Sequence, residues 1–409
     1  MTVSQKDKEI IRELAKRYME LALSDEQKQM NDRMQATNDL KIVRPPVLID
    51  EIPWYQMDID GELICQTEHP RIRHLEEYFR RAFYRRKYFR ADTIFEPFYR
   101  VRKSYDSTGI GISVEEEIRR TDDINHIVSH SYTDVLEDEE ALEQIQIPTF
   151  TLRPDRDAEA MEFFTDLLGD SMPVRLCGSG YLYHAPWDFI ARLRGMEPIL
   201  YDIYDRPDYL HRIRARFRDI TIAELDFIER YVGVDNSGEE LHCTPAKISG
   251  LQENTLKATW FRGMSQPFGD VSPQTHKELE IDYSLPIAER FAYSYYGCCE
   301  PLDRKMDIIK AIPNLRKIGV SPWADEERSA EQIGGRYVYA RKPNPANVAI
   351  RTDPDWIRAE TEKTVKLCIA HGCPLELVLK DISTVSGRPE NLIVWANTVA
   401  DVLDEYYGK

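Results

Sequence analysis

The chain has 409 residues, 42% of them hydrophobic, and a formal net charge of −17. That length suits one large α/β barrel with insertions, or two domains, with a sizeable core to bury. The acidic balance excludes a general nucleic-acid or anionic-membrane binder, which needs a basic face.

The first 34 residues are charged and helical in period. "EIIRELAKRYMELAL" places Ile10, Leu14, Tyr18 and Leu21 on one face, which predicts an N-terminal helix packed on the body or, in a homodimer, on a second subunit. Residues 1–40 form this extension, and 41–409 the main domain. "RPPVLIDEIPW" (44–54) and "TIFEPFYRV" (93–101) then read as strands. Residues 104–148 are acidic and irregular, with "SVEEEIRRTDDINHI" and "DVLEDEEALEQI" expected as helices or an insertion, and "RDAEAMEFFTDLLG" (156–169) is an amphipathic helix.

"MPVRLCGSG" (172–180), "KATWFRGMSQPF" (257–268), "RFAYSYYGCC" (290–299), "NLRKIGVSPW" (314–323), "RYVYARKPNP" (336–345) and "PLELVLKDIS" (374–383) complete a set of eight candidate strands. Most are followed by helical sequence, such as "DPDWIRAETEKTVKLCIAHG". Strand–helix alternation predicts a parallel sheet covered by helices. Eight such units, with no GxGxxG after the first strand, favour an α/β (β/α)8 TIM barrel over an open doubly wound sheet.

In such a barrel the chemistry gathers at the C-terminal strand ends. These supply Asp50, Glu51 and Trp54; Glu96; Tyr181 and His184; Arg262 and Gln266; Cys298, Cys299 and Glu300; Trp323; Lys342; and Lys380 and Asp381. Adjacent strand residues face opposite ways, so one cysteine of the pair at most faces the axis. His242 and Cys243 stand side by side, without the spacing of a metal site.

From Pro173 onward the chain resembles the uroporphyrinogen decarboxylase superfamily. The likeness rests on "PVRLCGSGYLYHAPWDFIA", "GDVSPQTHKELEIDYSLPIAERF", "YGCCEP", "KPNPANV" and "GRPENLIVWANTV", in that order. It implies the same barrel and two chemistries: decarboxylation of tetrapyrrole acetate arms, or methyl transfer to or from a corrinoid. The decarboxylases carry Arg-Gln-Ala-Gly-Arg after their first strand, where arginines pair with substrate carboxylates. Here that stretch is "LIDEIPWYQMD"; Asp50 and Glu51 would repel a poly-anion, which favours the methyltransferase branch.

In the zinc-dependent members of that branch, the motif match places Tyr296 at the histidine ligand, Cys298 at the first cysteine and Asp381 at the later one. Only Cys298 keeps its ligand type. The resemblance therefore implies a member that demethylates a small methylated donor, an aryl methyl ether or a methylamine. The methyl passes to the corrinoid of a separate carrier protein. Such a reaction needs an acid or Lewis acid at the leaving heteroatom. Glu51, Glu96, His184 and Lys380 are the candidate acids; Cys298, Glu300 and Asp381 are the candidate ligands of a rearranged zinc site. Trp54, Tyr181, Arg262, Tyr296 and Trp323, with Trp187, are expected around the donor. Two alternatives stay open: a decarboxylase of a smaller acid anchored by Arg262 or Lys380, and a non-catalytic corrinoid- or metabolite-binding member.

Seven cysteines, Cys65, Cys177, Cys243, Cys298, Cys299, Cys368 and Cys373, form no framework. The N-terminus lacks a signal-peptide core and no run reaches about 18 apolar residues, so free thiols in a reducing cytoplasm and no membrane span are expected.

Overall fold

The computed structural model describes residues 3–120, 128–235, 240–242, 244–245, 255–350 and 352–408. Nine strands frame the site: β1 (Val47–Ile49), β2 (Tyr99–Arg102), β3 (Val174–Cys177), β4 (Leu182–His184), β5 (Trp260–Gly263), β6 (Tyr293–Tyr296), β7 (Leu315–Val320), β8 (Val338–Arg341) and β9 (Leu375–Leu379). Seven form one curled parallel sheet in the order β1-β9-β8-β7-β6-β5-β4. β2 and β3 form a separate parallel pair.

The expected closed barrel is thus open on one side. The predicted strand at 172–180 ends early, at Cys177: β3 pairs with β2, and a further short strand that was not expected, β4, starts five residues later and pairs with β5. Gly178 shows why. A Cβ there would lie 2.4 Å from the Gly233 carbonyl oxygen, so glycine admits a second backbone at contact distance. Ser179 N donates to Gly233 O (3.0 Å) and Asp235 N donates to Ser179 O (2.7 Å). Segment 233–235 takes the hydrogen bonds a continuous strand would have given its neighbours. On the other flank, Asp92 N donates to Val47 O and Val47 N to the Asp92 carboxylate, so the chain entering β2 is tied to β1.

The principal helices are α1 (Gln5–Ala22), α2 (Asp25–Asn38), α3 (Pro70–Tyr88), α4 (Pro154–Leu168), α5 (Pro186–Arg194), α6 (Pro207–Phe227), α7 (Pro354–His371) and α8 (Glu390–Tyr407). Ser4 and Ser24 cap α1 and α2, accepting from Asp7 N and Gln27 N, which satisfies first-turn donors. α1 buries Ile11, Leu14, Ala15 and Tyr18 against α3 and the end of α4. It docks on the body, as one of the two expectations had it. α2 sends Met34 into a small cluster with Leu48, Ile94 and Val378. Alternating residues of the sheet face outward: Val47, Ile49, Phe261, Tyr296, Ile318, Tyr339 and Leu377 join Trp395 and Leu403 of α8 in the main core.

The acidic insertion differs from expectation. Glu116–Arg120 pairs antiparallel with Val128–Tyr132, and among the described residues of the insertion only Glu139–Gln144 is helical, as a short 3-10 turn. Every residue of 116–120 is exposed. A helix there would have no apolar face to bury, whereas the ladder brings Glu116 and His130 within 2.8 Å. Residues 121–127 of that stretch, and Cys243 of the His-Cys pair, lie outside the described residues. No helix among the described residues is long and apolar enough to cross a membrane.

Candidate active site at the barrel mouth

β1 and β9 are neighbours with Ile49 opposite Leu379, so the residues that leave the two strands emerge side by side. Asp50 N still bonds to Leu379 O (2.8 Å). Glu51 and Asp381 then turn off with φ of 55° and 57°. A left-handed backbone costs a non-glycine residue roughly 1–2 kcal/mol, and such strain gathers at functional sites. Asp381 N donates to Glu51 Oε2 at 2.8 Å. Lys380 Nζ lies 3.0 and 2.9 Å from the two Asp381 carboxylate oxygens. Cys299 Sγ donates to Asp381 Oδ2 at 3.3 Å and stands 4.0 Å from Cys298 Sγ.

The two carboxyls are pushed apart in proton affinity. Loss of water in the cavity, then the hydrogen bond to Asp381, raises Glu51 above the ordinary carboxylic range. For Asp381, burial pushes upward, but the Lys380 charge and hydrogen bonds with Glu51, Lys380 and Cys299 outweigh it, and its affinity is lowered. The two acids are thus shifted in opposite directions, the asymmetry that separates acid from anion in paired-carboxyl sites. Cys299 is raised by its contact with Cys298 and by burial, so it is a thiol rather than a thiolate.

Glu51 and Asp381 open into a cavity of about 730 Å³ whose walls include Trp54, Tyr55, Ile382 and Arg81. Its size matches a small-molecule site. Trp54 therefore lines the same space as the two acids. Glu96 does not. It lines a neighbouring cleft of about 780 Å³ that shares Trp54, Glu77 and Arg81 with the first.

The expected metal ligands do not fit a common ion. Glu300 is 3% exposed and turns back on its own loop, accepting from Ser265 N (3.1 Å) and Cys298 N (2.9 Å). Cys299, not Cys298, is the cysteine that meets Asp381. Among the described residues, no group of three or more histidine, cysteine, aspartate or glutamate side chains is arranged to hold a metal.

Across the mouth stands an acid that sequence reading missed. Asp188, in the first turn of α5, accepts from Gln266 Nε2 (3.3 Å) through Oδ2, while buried Oδ1 has no hydrogen-bond partner. Burial, then the nearby Glu300 and Cys298, pushes its carboxyl up to about 7. A solitary aspartate after "HAPW" reads as helix-terminal chemistry, and only its exclusion from water marks it out.

The other expected groups are dispersed. Arg262 faces the axis, its guanidinium 3.8 Å from the centre of the Tyr295 ring, and Nε donates to His242 O. Lys342 Nζ hydrogen-bonds the Tyr295 hydroxyl, and Tyr181 packs on the same Trp260–Tyr295 cluster. Tyr296 points outward instead, fully buried, with its hydroxyl 2.8 Å from His276 Nε2. His184 also faces outward into a buried network, 3.0 Å from Arg214 Nη2. Burial and that guanidinium hold it well below its ordinary range, so it is neutral there. Trp187 is core, donating to Leu279 O, and Trp323 is exposed. Deeper in the barrel, Lys317 and Glu376 form a fully buried ion pair at 2.6 Å, joined by Thr244.

No protein-family model matches this chain, and no curated protein does. Among solved structures it is similar to a methyltransferase from Methanosarcina mazei, with a TM-score of 0.50 at 13% identity over 92% of this chain and 99% of that one. At that identity the likeness establishes a shared fold, over nearly the full length of both chains.

Proposed function

We propose that this chain is a methyltransferase that takes a methyl group from a small methylated donor, of the aryl methyl ether or methylamine kind, and passes it to a corrinoid on a separate carrier protein. The observation that carries the reading is the Glu51–Asp381 pair, one acid raised and one lowered, set at the mouth of a methyltransferase-like barrel and opening into a cavity with Trp54 and Tyr55 in its wall.

In this reading the donor lies in the mouth cavity with its heteroatom at Glu51. Trp54 and Tyr55 cover its apolar part and exclude water. A reduced corrinoid supplies the nucleophile for the methyl carbon. As the carbon–heteroatom bond breaks, its electron pair stays on the heteroatom, which takes the Glu51 proton. Asp381, fixed by Lys380, remains an anion and holds Glu51 in place through its backbone N–H. General acid assistance of this kind contributes about 10²–10⁴-fold. No step is routed through zinc, since Cys298, Glu300 and Asp381 form no three-ligand group among the described residues.

The test incubates the protein with reduced cobalamin and a panel of methoxyarenes and methylamines, following the corrin absorbance. The reading expects conversion to the methylated corrin with at least one donor. Carbon dioxide release without any corrin change would transfer the assignment to the decarboxylase alternative.

A further inference from the structure

We propose that the passage beside Trp54 is an anion-binding subsite built by Arg81 and Arg85, which takes the carboxylate or phosphate of the molecule whose far end reaches Glu51 and Asp381. This rests on the reading of the mouth cavity as the donor site. The two cavities meet at Trp54, Glu77 and Arg81, so a ligand in the first has direct access to the guanidiniums of the second.

Arg81 and Arg85 are one turn apart on α3, which puts both on one helix face. Both guanidiniums lie over the Trp54 ring, 5.3 and 5.6 Å from its centre. Arg81 has one carboxylate near it, Glu77 at 3.5 Å, an exposed pair of the weak kind. Arg85 donates to the Ile49 carbonyl (2.9 Å) and, among the described residues, has no carboxylate partner. Two adjacent half-buried cations repel each other, and the arrangement is stabilised by an anion lodged between them. Guanidinium forks match carboxylate and phosphate oxygens in geometry as well as charge.

The surroundings extend the pattern. Five arginines and two glutamates line the second cleft, in a chain whose net charge is −17. The outer members are already paired: Arg71 with Glu159 and Arg100 with Asp235. Burial and the nearness of Arg100 hold Arg102 below its ordinary range, which reflects the same crowding of positive charge. The inner pair, at the junction with the mouth, is the one left for a ligand.

Isothermal titration of the full chain with benzoate, phenyl phosphate and the neutral benzamide tests this. A charged hydrogen bond contributes about 1.5–3 kcal/mol, so at least one anion is expected to bind about tenfold or more tightly than benzamide. Arg85→Gln and Arg81→Gln are expected to abolish that preference, and Arg85→Lys to keep part of it, with unchanged circular dichroism. Preference for benzoate, for phenyl phosphate or for both identifies which anion the site takes. Benzamide binding as tightly as the anions, anion binding untouched by either glutamine variant, or no binding of either anion would overturn the proposal. The assay needs no corrinoid. Anion binding without methyl transfer sinks the proposed function alone, and methyl transfer without anion preference sinks this subsite alone.

Discussion

Asp381 presents its backbone N–H to Glu51 Oε2 at 2.8 Å, and both residues hold a left-handed backbone to do so. Two neighbouring strands end in register, and the acid two residues past each end, Glu51 or Asp381, enters one cavity. The paired geometry has direct consequences for rate and for pH.

Glu51 is expected to be the group that must carry a proton. Its raised affinity means that activity is present at pH values below its folded pKa and declines as pH rises through it. Glu51→Gln is expected to lower the transfer rate by about 10²–10⁴-fold while leaving donor affinity within a few-fold. Rate–pH profiles of both proteins check this. A Glu51→Gln profile with the wild-type rate and shape would remove Glu51 from the chemistry.

The strained backbone gives a separable effect on stability. Asp381→Gly and Asp381→Ala remove the same carboxylate, but only glycine relieves the left-handed strain, so Asp381→Gly is expected to be about 1 kcal/mol more stable than Asp381→Ala, with activity lost in both. Urea unfolding alongside an activity assay makes the comparison. Equal stability of the two variants would show that the backbone at this position carries no strain, and retained activity would remove Asp381 from the reaction.

How much of this was legible in the sequence follows from what each signal measures. Apolar runs and strand–helix order reported burial and period, and so located eight of the nine strands that frame the site, missing only the short β4, and the rim acids Glu51 and Asp381. The break at Gly178 was invisible, because it depends on segment 233–235 approaching from far along the chain. Alternation says that Tyr295 and Tyr296 face opposite ways, but not which faces inward. The motif match put Tyr296 at the donor pocket, while the register placed Tyr295 on the axis. Glu376 and Lys317 sat unremarked inside apolar strands, since a buried charge is legible only with its partner in view. The clustering of Arg81 and Arg85 around Trp54 required the tertiary contact between α3 and the loop after β1.

The buried Lys317–Glu376 pair gives a third expectation. Lys317→Met leaves a carboxylate stranded in the barrel and is expected to destabilise the fold by about 3–5 kcal/mol. The double variant Lys317→Met/Glu376→Leu is expected to recover most of that loss. Denaturant titration of the single and double variants decides, and additive losses in the double variant would contradict the pairing.

Asp188 links stability to pH. Its folded-state carboxyl is pushed up to about 7, above the ordinary value of about 3.9 in an unfolded chain. The folded form binds the extra proton, so this contribution is fully present below pH about 4 and lost as pH rises through about 7. Asp188→Asn is expected to lose less stability than wild type between pH 5 and 8, by about 1–2 kcal/mol after allowance for partial exposure. Thermal unfolding across that range reads it out; parallel curves for the two proteins would show that Asp188 titrates normally.

The most direct measurement supplies a donor bearing a CD3 group, with reduced cobalamin, to wild type and Glu51→Gln, and follows the label by mass spectrometry. The account predicts CD3 on the corrin with wild type, falling by about 10²-fold or more with Glu51→Gln. Label retained in every donor, or transfer at equal rates by the two proteins, would contradict it.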